Sequence, residues 1–154
     1  MPLTLEDCAE ALQQAGLRHH VDGEQQLIRL VLVTSRYRNR RGEHLAIVTI
    51  GVQDDGHRLR LSLERAFEAG RDPAVACLLA CRCAAATPLV AAEYDADFDN
   101  LRLVTESVVG EQGADSAMLA SLVEHLVCAA EVWQVAFDAK RQADDAVGMH
   151  GQAA

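Results

Sequence analysis

The second half of the chain sets the tightest limits on what it can fold into. An apolar helical stretch up to Ala86 is followed by Pro88-Leu-Val-Ala-Ala-Glu-Tyr-Asp-Ala-Asp-Phe-Asp-Asn-Leu-Arg-Leu-Val-Thr-Glu106, and then by a long amphipathic run. The middle segment reads as a β-hairpin, because two β-prone runs flank an Asp-rich turn at Asp95 to Asn100. Helix, hairpin and helix in this order call for a sheet with helices packed on it.

The signals that bound these elements are physical ones. Asp72-Pro73 starts a helix, since Asp caps free backbone N–H groups and Pro already has the φ of a first helical position. Thr87-Pro88 stops it, because Pro disfavours the helical conformation in the residue before it. This helix carries Val75, Leu78 and Leu79 among Ala and Cys on nearly every side, a pattern that predicts burial all round. Asp115 or Ser116 caps the last helix, in which Leu119, Leu122, Val123, Leu126, Ala130, Trp133 and Phe137 hold one stripe.

The first half adds one helix and three strands. Thr4 and Asp7 form a capping-box pair before the helical spacing of Leu5, Cys8, Ala9, Leu12 and Ala15. Gln26 to Tyr37 and Leu45 to Val52 are rich in Ile, Leu and Val and read as neighbouring strands. His57 to Leu63 alternates Leu59, Leu61 and Leu63 with Arg58, Arg60 and Ser62, which predicts one buried and one wet face. The order α-β-β-β-α-β-β-α gives an α+β fold with a mostly antiparallel five-stranded sheet. We expect a single domain over residues 1–141 and a polar, disordered tail over residues 142–154.

Composition narrows the classes. Aromatic residues are only 4% of the 154 positions, so aliphatic side chains rather than large rings are expected to build the core. A net charge of -9 opposes a phosphate backbone, so no nucleic acid is expected. With no charged start before an apolar run, and no apolar stretch near the ~18 residues of a span, a cytoplasmic protein without a membrane segment is expected. Five cysteines, Cys8, Cys77, Cys81, Cys83 and Cys128, are an odd number set in apolar patterns and read as reduced core thiols rather than a disulfide framework.

The helix, then Pro88-Leu-Val-x-x-Glu-Tyr-Asp95, a second strand and a closing amphipathic helix resemble the YbjN family, most strongly from His44 to Phe137. The resemblance implies the type III secretion chaperone-like fold and a chaperone-like or regulatory binding module, often dimeric, with no enzymatic chemistry and no cofactor to carry over. Helix two departs from such relatives in having Cys81-Arg-Cys83 and a run of Ala where an Asn is expected.

The residues point the same way independently. In Leu45 to Val52 both faces are apolar, with Leu45 and Ile47 on one and Ala46, Val48, Ile50 and Val52 on the other. One face packs on helices, and the other needs cover from helix two, a homodimer partner or a client segment. Candidate partner-binding residues are therefore Val48, Ile50 and Val52, with Trp133 on the last helix. Arg36, Tyr37, Arg38, Arg40 and Arg41 join them as a basic strand edge that Arg58 and Arg60 could extend, able to grip an acidic partner or a phosphate.

The rival reading is a small-ligand or metal-binding protein using Cys77, Cys81 and the central histidines His44 and His57. Helical geometry weakens it, because Cys83 lies about 200° round from Cys81. The Glu93, Asp95, Asp97 and Asp99 run lacks the Gly and closing Glu of a calcium loop and reads as an ordinary turn. His125 and Cys128 lack an orienting third group for nucleophilic catalysis, and His19-His20 reads as a loop pair.

Overall fold

Local signals place the helices. The Thr4 side chain accepts from the Asp7 backbone N–H at 3.2 Å while the Asp7 carboxylate accepts from the Thr4 N–H at 2.8 Å, closing a capping box. Asp72 accepts from the N–H groups of Ala74 and Val75, with Pro73 at the first helical position. Asp115, not Ser116, takes the N–H of Met118 at 2.7 Å at the start of the last helix.

The computed structural model describes residues 2–150, and the side chains of residues 2–148. The elements are α1 (Leu5–Gln14), β1 (His19–Asp22), β2 (Leu27–Val33), β3 (Leu45–Gln53), β4 (Arg58–Glu68), α2 (Pro73–Ala86), β5 (Ala91–Asp95), β6 (Asn100–Val108) and α3 (Ser116–His150). The strands form one fully antiparallel sheet in the order β1-β2-β3-β4-β6-β5. The expected α+β class holds, with six strands rather than five.

The added strand is β1, read from the sequence as a loop. His19 and His20 pair with Leu30 and Arg29, and so lengthen the sheet at its edge. Four residues with two His and one Asp carry no apolar alternation, so only the pairing reveals them as a strand. β4 also runs past Leu63 to Glu68 through a bulge, with Arg65 in the left-handed region at φ 50°. The last helix does not stop at Arg141 but continues to His150, so the expected disordered tail is helical over its first nine positions. Residues 151–154 lie outside the described residues. The continuation has contacts to hold it: the Arg71 guanidinium lies 3.1 Å from where a Gly148 Cβ would sit, and the Lys140 amine is hydrogen-bonded to Ala69 O and Asp144.

One sheet face is covered. Register puts Ile28, Leu30, Val48, Ile50, Leu59, Leu61, Leu63, Leu101 and Leu103 on it, all 1% exposed or less. Against them pack Cys8 and Leu12 of α1, Ala76 and Ala80 of α2, and Leu119, Val123, Leu126, Ala130 and Trp133 of α3. The core is aliphatic in the main, as composition predicts, and four of the chain's six rings gather at one place in it. Phe67 stacks on Phe137 at 4.5 Å and lies near-parallel to Trp133 at 6.4 Å, while Tyr37 meets it edge-on at 5.8 Å. This explains α3 as well. Within residues 116–148 an 18-residue window with a mean hydropathy of 1.3 is long and apolar enough for a membrane span, contrary to the expectation of no such segment, yet its apolar stripe fills the core of this sheet.

At Gly56, φ is +90° and an added Cβ would lie 2.6 Å from the Pro2 Cβ and 2.7 Å from the backbone of Leu3. The Leu3 N–H donates to Gly56 O at 3.0 Å, so no space opens without losing that tie. Gly56→Ala is expected to lower stability by about 1–3 kcal/mol in urea unfolding.

Candidate functional site

The two faces of β3 have different fates. Val48 and Ile50 are fully buried and Val52 is packed against the core, so none of the three offers the partner surface expected of them. Their face is the one the helices cover. Leu45 and Ile47 lie on the other face, opposite Val33 and Val31 of β2. Val31, Val33 and Ile47 are 59%, 85% and 47% exposed, which makes an uncovered apolar patch.

The rest of that open face is a ladder of ion pairs. Arg58 pairs with Asp54 and Glu106, Arg60 reaches Glu106 at 2.7 Å and Glu93 at 2.6 Å, and Arg102 reaches Glu64 at 2.5 Å and Glu93 at 3.3 Å. The Arg60 hydrogen bond holds the Glu93 carboxyl below the usual carboxylate range against its partial burial. Ser62 and Val104 are register partners on this face and only 6% and 4% exposed, shielded by these flanking side chains.

Helix α2 is not buried all round. Ala76, Ala80 and Cys83 pack inward, while Val75 and Leu78 are 46% and 67% exposed and Ala74, Cys81 and Ala85 lie exposed on the same outer side. Leu89, just beyond the helix, is 73% exposed. α2 contains no acidic residue and one Arg, in a chain of net charge -9.

The arginine run is not a strand edge. Residues between β2 and β3 form a loop tied to α3: the Glu131 carboxylate accepts from the backbone N–H groups of Ser35, Arg36 and Tyr37 at 2.5–2.7 Å, and Gln134 accepts from Arg38 N–H at 3.0 Å. Arg58 and Arg60 are engaged on the sheet face and do not join it. Tyr37 points inward and is 2% exposed; its O–H donates to Ala66 O at 3.3 Å, and burial pushes its hydroxyl up to about 12. Arg38, Arg40, Lys140 and Arg141 line a cleft of about 300 Å³ with Glu68, Asp138 and Asp144, floored by Phe67 and Phe137.

Burial tends to raise the pKa of Glu131, but its three backbone donors outweigh this and bring it below the usual carboxylate range. A carboxyl lowered on folding adds stability above its unfolded pKa and loses it as pH falls through the folded value. The loop should therefore loosen only in acid, below about pH 4. Amide exchange at Ser35, Arg36 and Tyr37 is expected to speed up there, and Glu131→Gln should show the faster exchange already at neutral pH.

Trp133 is fully buried, and its indole N–H donates to Thr87 Oγ1 at 2.9 Å. The thiols and histidines do not converge. Cys77 is half-buried, Cys81 exposed and Cys83 buried. His44 and His57 lie beyond opposite ends of β3, about 30 Å apart by strand rise, and do not approach across neighbouring strands. Among the described residues no three His, Cys, Asp or Glu side chains are placed to share a metal ion. His125 contacts Pro88 O at 2.7 Å, and burial pushes the Cys8 thiol up to about 11. In the acidic turn, Asp95 accepts from the Asp97 N–H and Asp99 accepts from the Tyr94 hydroxyl, as a hairpin turn requires.

No family model matches the chain, and no curated protein matches its sequence. The solved structures do contain its fold. The crystal structure of E. coli YbjN, provisionally described as a transcription regulator, superposes with a TM-score of 0.66 at 16% identity, over 89% of this chain and 93% of that one. The fold is YbjN-like, as the hairpin and closing helix led us to expect.

Proposed function

We propose that this protein is a non-enzymatic, chaperone-like or regulatory binding module that pairs with a second copy through α2 and holds a segment of a partner protein on the open sheet face. The observation that carries the proposal is the outer face of α2. Val75, Leu78 and Cys81 stand exposed on a helix without acidic residues, in a chain whose like charge otherwise opposes self-association. Ala74 and Ala85 toward the two ends let two such helices approach closely. The β2–β3 patch lies across the sheet from the helix layer, so a copy bound to α2 leaves it free. The YbjN-like fold supports the same reading. A regulatory role, as provisionally given to the E. coli neighbour, would in a chain of this charge run through proteins and not through DNA. The use of α3 as a core helix supports a soluble protein, and a cytoplasmic location is part of the proposal.

The exposed thiols provide the test. A two-fold axis near the middle of α2 brings Cys81 close to its copy, whereas the other exposed thiol, Cys128, belongs to α3 and serves as the control. Mild oxidation of dilute protein is expected to give a covalent dimer that persists in Cys128→Ser and disappears in Cys81→Ser. A dimer lost with Cys128 instead, or no dimer at all, would contradict the placement on α2. Separately, Val31→Thr with Ile47→Thr, which keeps both exposed cross-strand partners β-branched and uncharged, should leave stability within about 0.5 kcal/mol and should leave self-association intact.

A further inference from the structure

We propose that the cleft between the residue 34–44 loop and the second half of α3 binds a compact oxyanion of the phosphate class, gripped by Arg38, Arg40 and Arg141. Three features carry this. First, donors are left over. Asp138 is shared, taking Arg38 at 3.1 Å and Arg141 at 3.1 Å, so each guanidinium keeps most of its five N–H groups unused. Arg40 meets Glu68 only at 3.5 Å and makes no side-chain hydrogen bond among the described residues. Second, the cations exceed the carboxylates. Lys140, 10% exposed in the wall, is matched by Asp144 at 2.8 Å, and the remaining three arginines face only Glu68 and Asp138. Third, the site is built before any ligand arrives. Glu131 and Gln134 hold the loop by four backbone hydrogen bonds, and Gly70, at φ +76°, lets the backbone pass where a Cβ would sit 3.2 Å from the Lys140 amine.

Geometry favours phosphate over a carboxylate. One guanidinium fork satisfies a planar carboxylate, whereas forks converging from the loop and from the helix suit a tetrahedral anion with oxygens on every side. The cleft is open on one side and lined by Phe67 and Phe137, which fits a phosphate free or carried on a small organic group. The proposal is independent of self-association, because α2 contributes nothing to the cleft.

Titration of the full chain with inorganic phosphate, at constant ionic strength in chloride, tests it by amide chemical shifts. Saturable changes confined to residues 38–42, 68–70 and 134–144 are expected, and Arg40→Gln should weaken binding about tenfold or more. Arg58→Gln, on the sheet face, should not alter it. Arg40 is exposed and makes no hydrogen bond, so its variant should keep the wild-type Tm, and Leu78→Asp should still bind phosphate. A second arm with glycerol phosphate separates the sources: tighter binding of the ester assigns an organic phosphate, and equal binding assigns phosphate itself. No saturation, shifts of equal size around Arg58, or an unaltered response in Arg40→Gln would overturn the proposal.

Discussion

Trp133→Ala is expected to cost about 3–5 kcal/mol, a large share of the roughly 5–15 kcal/mol that holds a domain of this size together. The indole is fully buried, lies beside Phe67 in the ring cluster, and spans from α3 to the end of α2 through Thr87. Thr87 in turn donates to Cys83 O at 2.9 Å, so the contact ties the C-terminus of α2 to the core. Removal leaves a cavity in the core, and the Thr87 hydroxyl keeps only its bond to Cys83 O. Thermal unfolding should show Tm lowered by roughly 10 °C or more, while Trp133→Phe, which keeps a ring and loses only the N–H bond, should lose about 1–2 kcal/mol. As this is the chain's one tryptophan, its emission reports the same burial: blue-shifted when folded, red-shifted on unfolding.

Leu78→Asp is expected to act in the opposite manner, leaving the fold intact and dispersing the pair. Leu78 is 67% exposed in the single chain, so its loss from the folded core is small. Across a two-fold interface it is counted twice, and burying a leucine contributes about 1.5–3 kcal/mol. Its replacement by two facing carboxylates should weaken self-association ~100-fold or more, with Tm in dilute solution little altered. Sedimentation of the variant beside the wild type reads this directly. An unaltered dimer in Leu78→Asp would move the interface elsewhere on the molecule.

How far the sequence could be read depended on how local the causes were. The capping box at Thr4 and Asp7 and the Asp72-Pro73 start act within one turn of helix, and both elements begin where these signals lie. The hairpin was legible for the same reason, its turn being satisfied by Asp95 and Asp99 themselves. What failed were matters decided by distant partners. β3 alternates apolar residues on both faces, and nothing in Leu45 to Val52 says that the Val48 and Ile50 side is the one helices cover. The arginine run has the spacing of a strand edge, but a carboxylate 94 to 96 positions away takes its backbone N–H groups and makes it a loop. Trp133, a candidate for partner binding from the sequence, belongs to the Leu119 to Phe137 stripe, and that stripe faces the sheet rather than a partner. β1 is held by pairing with β2 and carries no signal of its own.

The pairing of two chains through α2 is the claim on which the functional account rests, and the mass of the untagged wild-type chain in solution tests it most directly. Fourteen residues of helix extend about 21 Å, and one helix pair of that length buries an area at the low end of stable interfaces. Sedimentation equilibrium across a concentration series should therefore give twice the chain mass at high concentration, falling to the single-chain mass with a midpoint in the micromolar range. A single-chain mass maintained to the highest concentration reached would contradict the account.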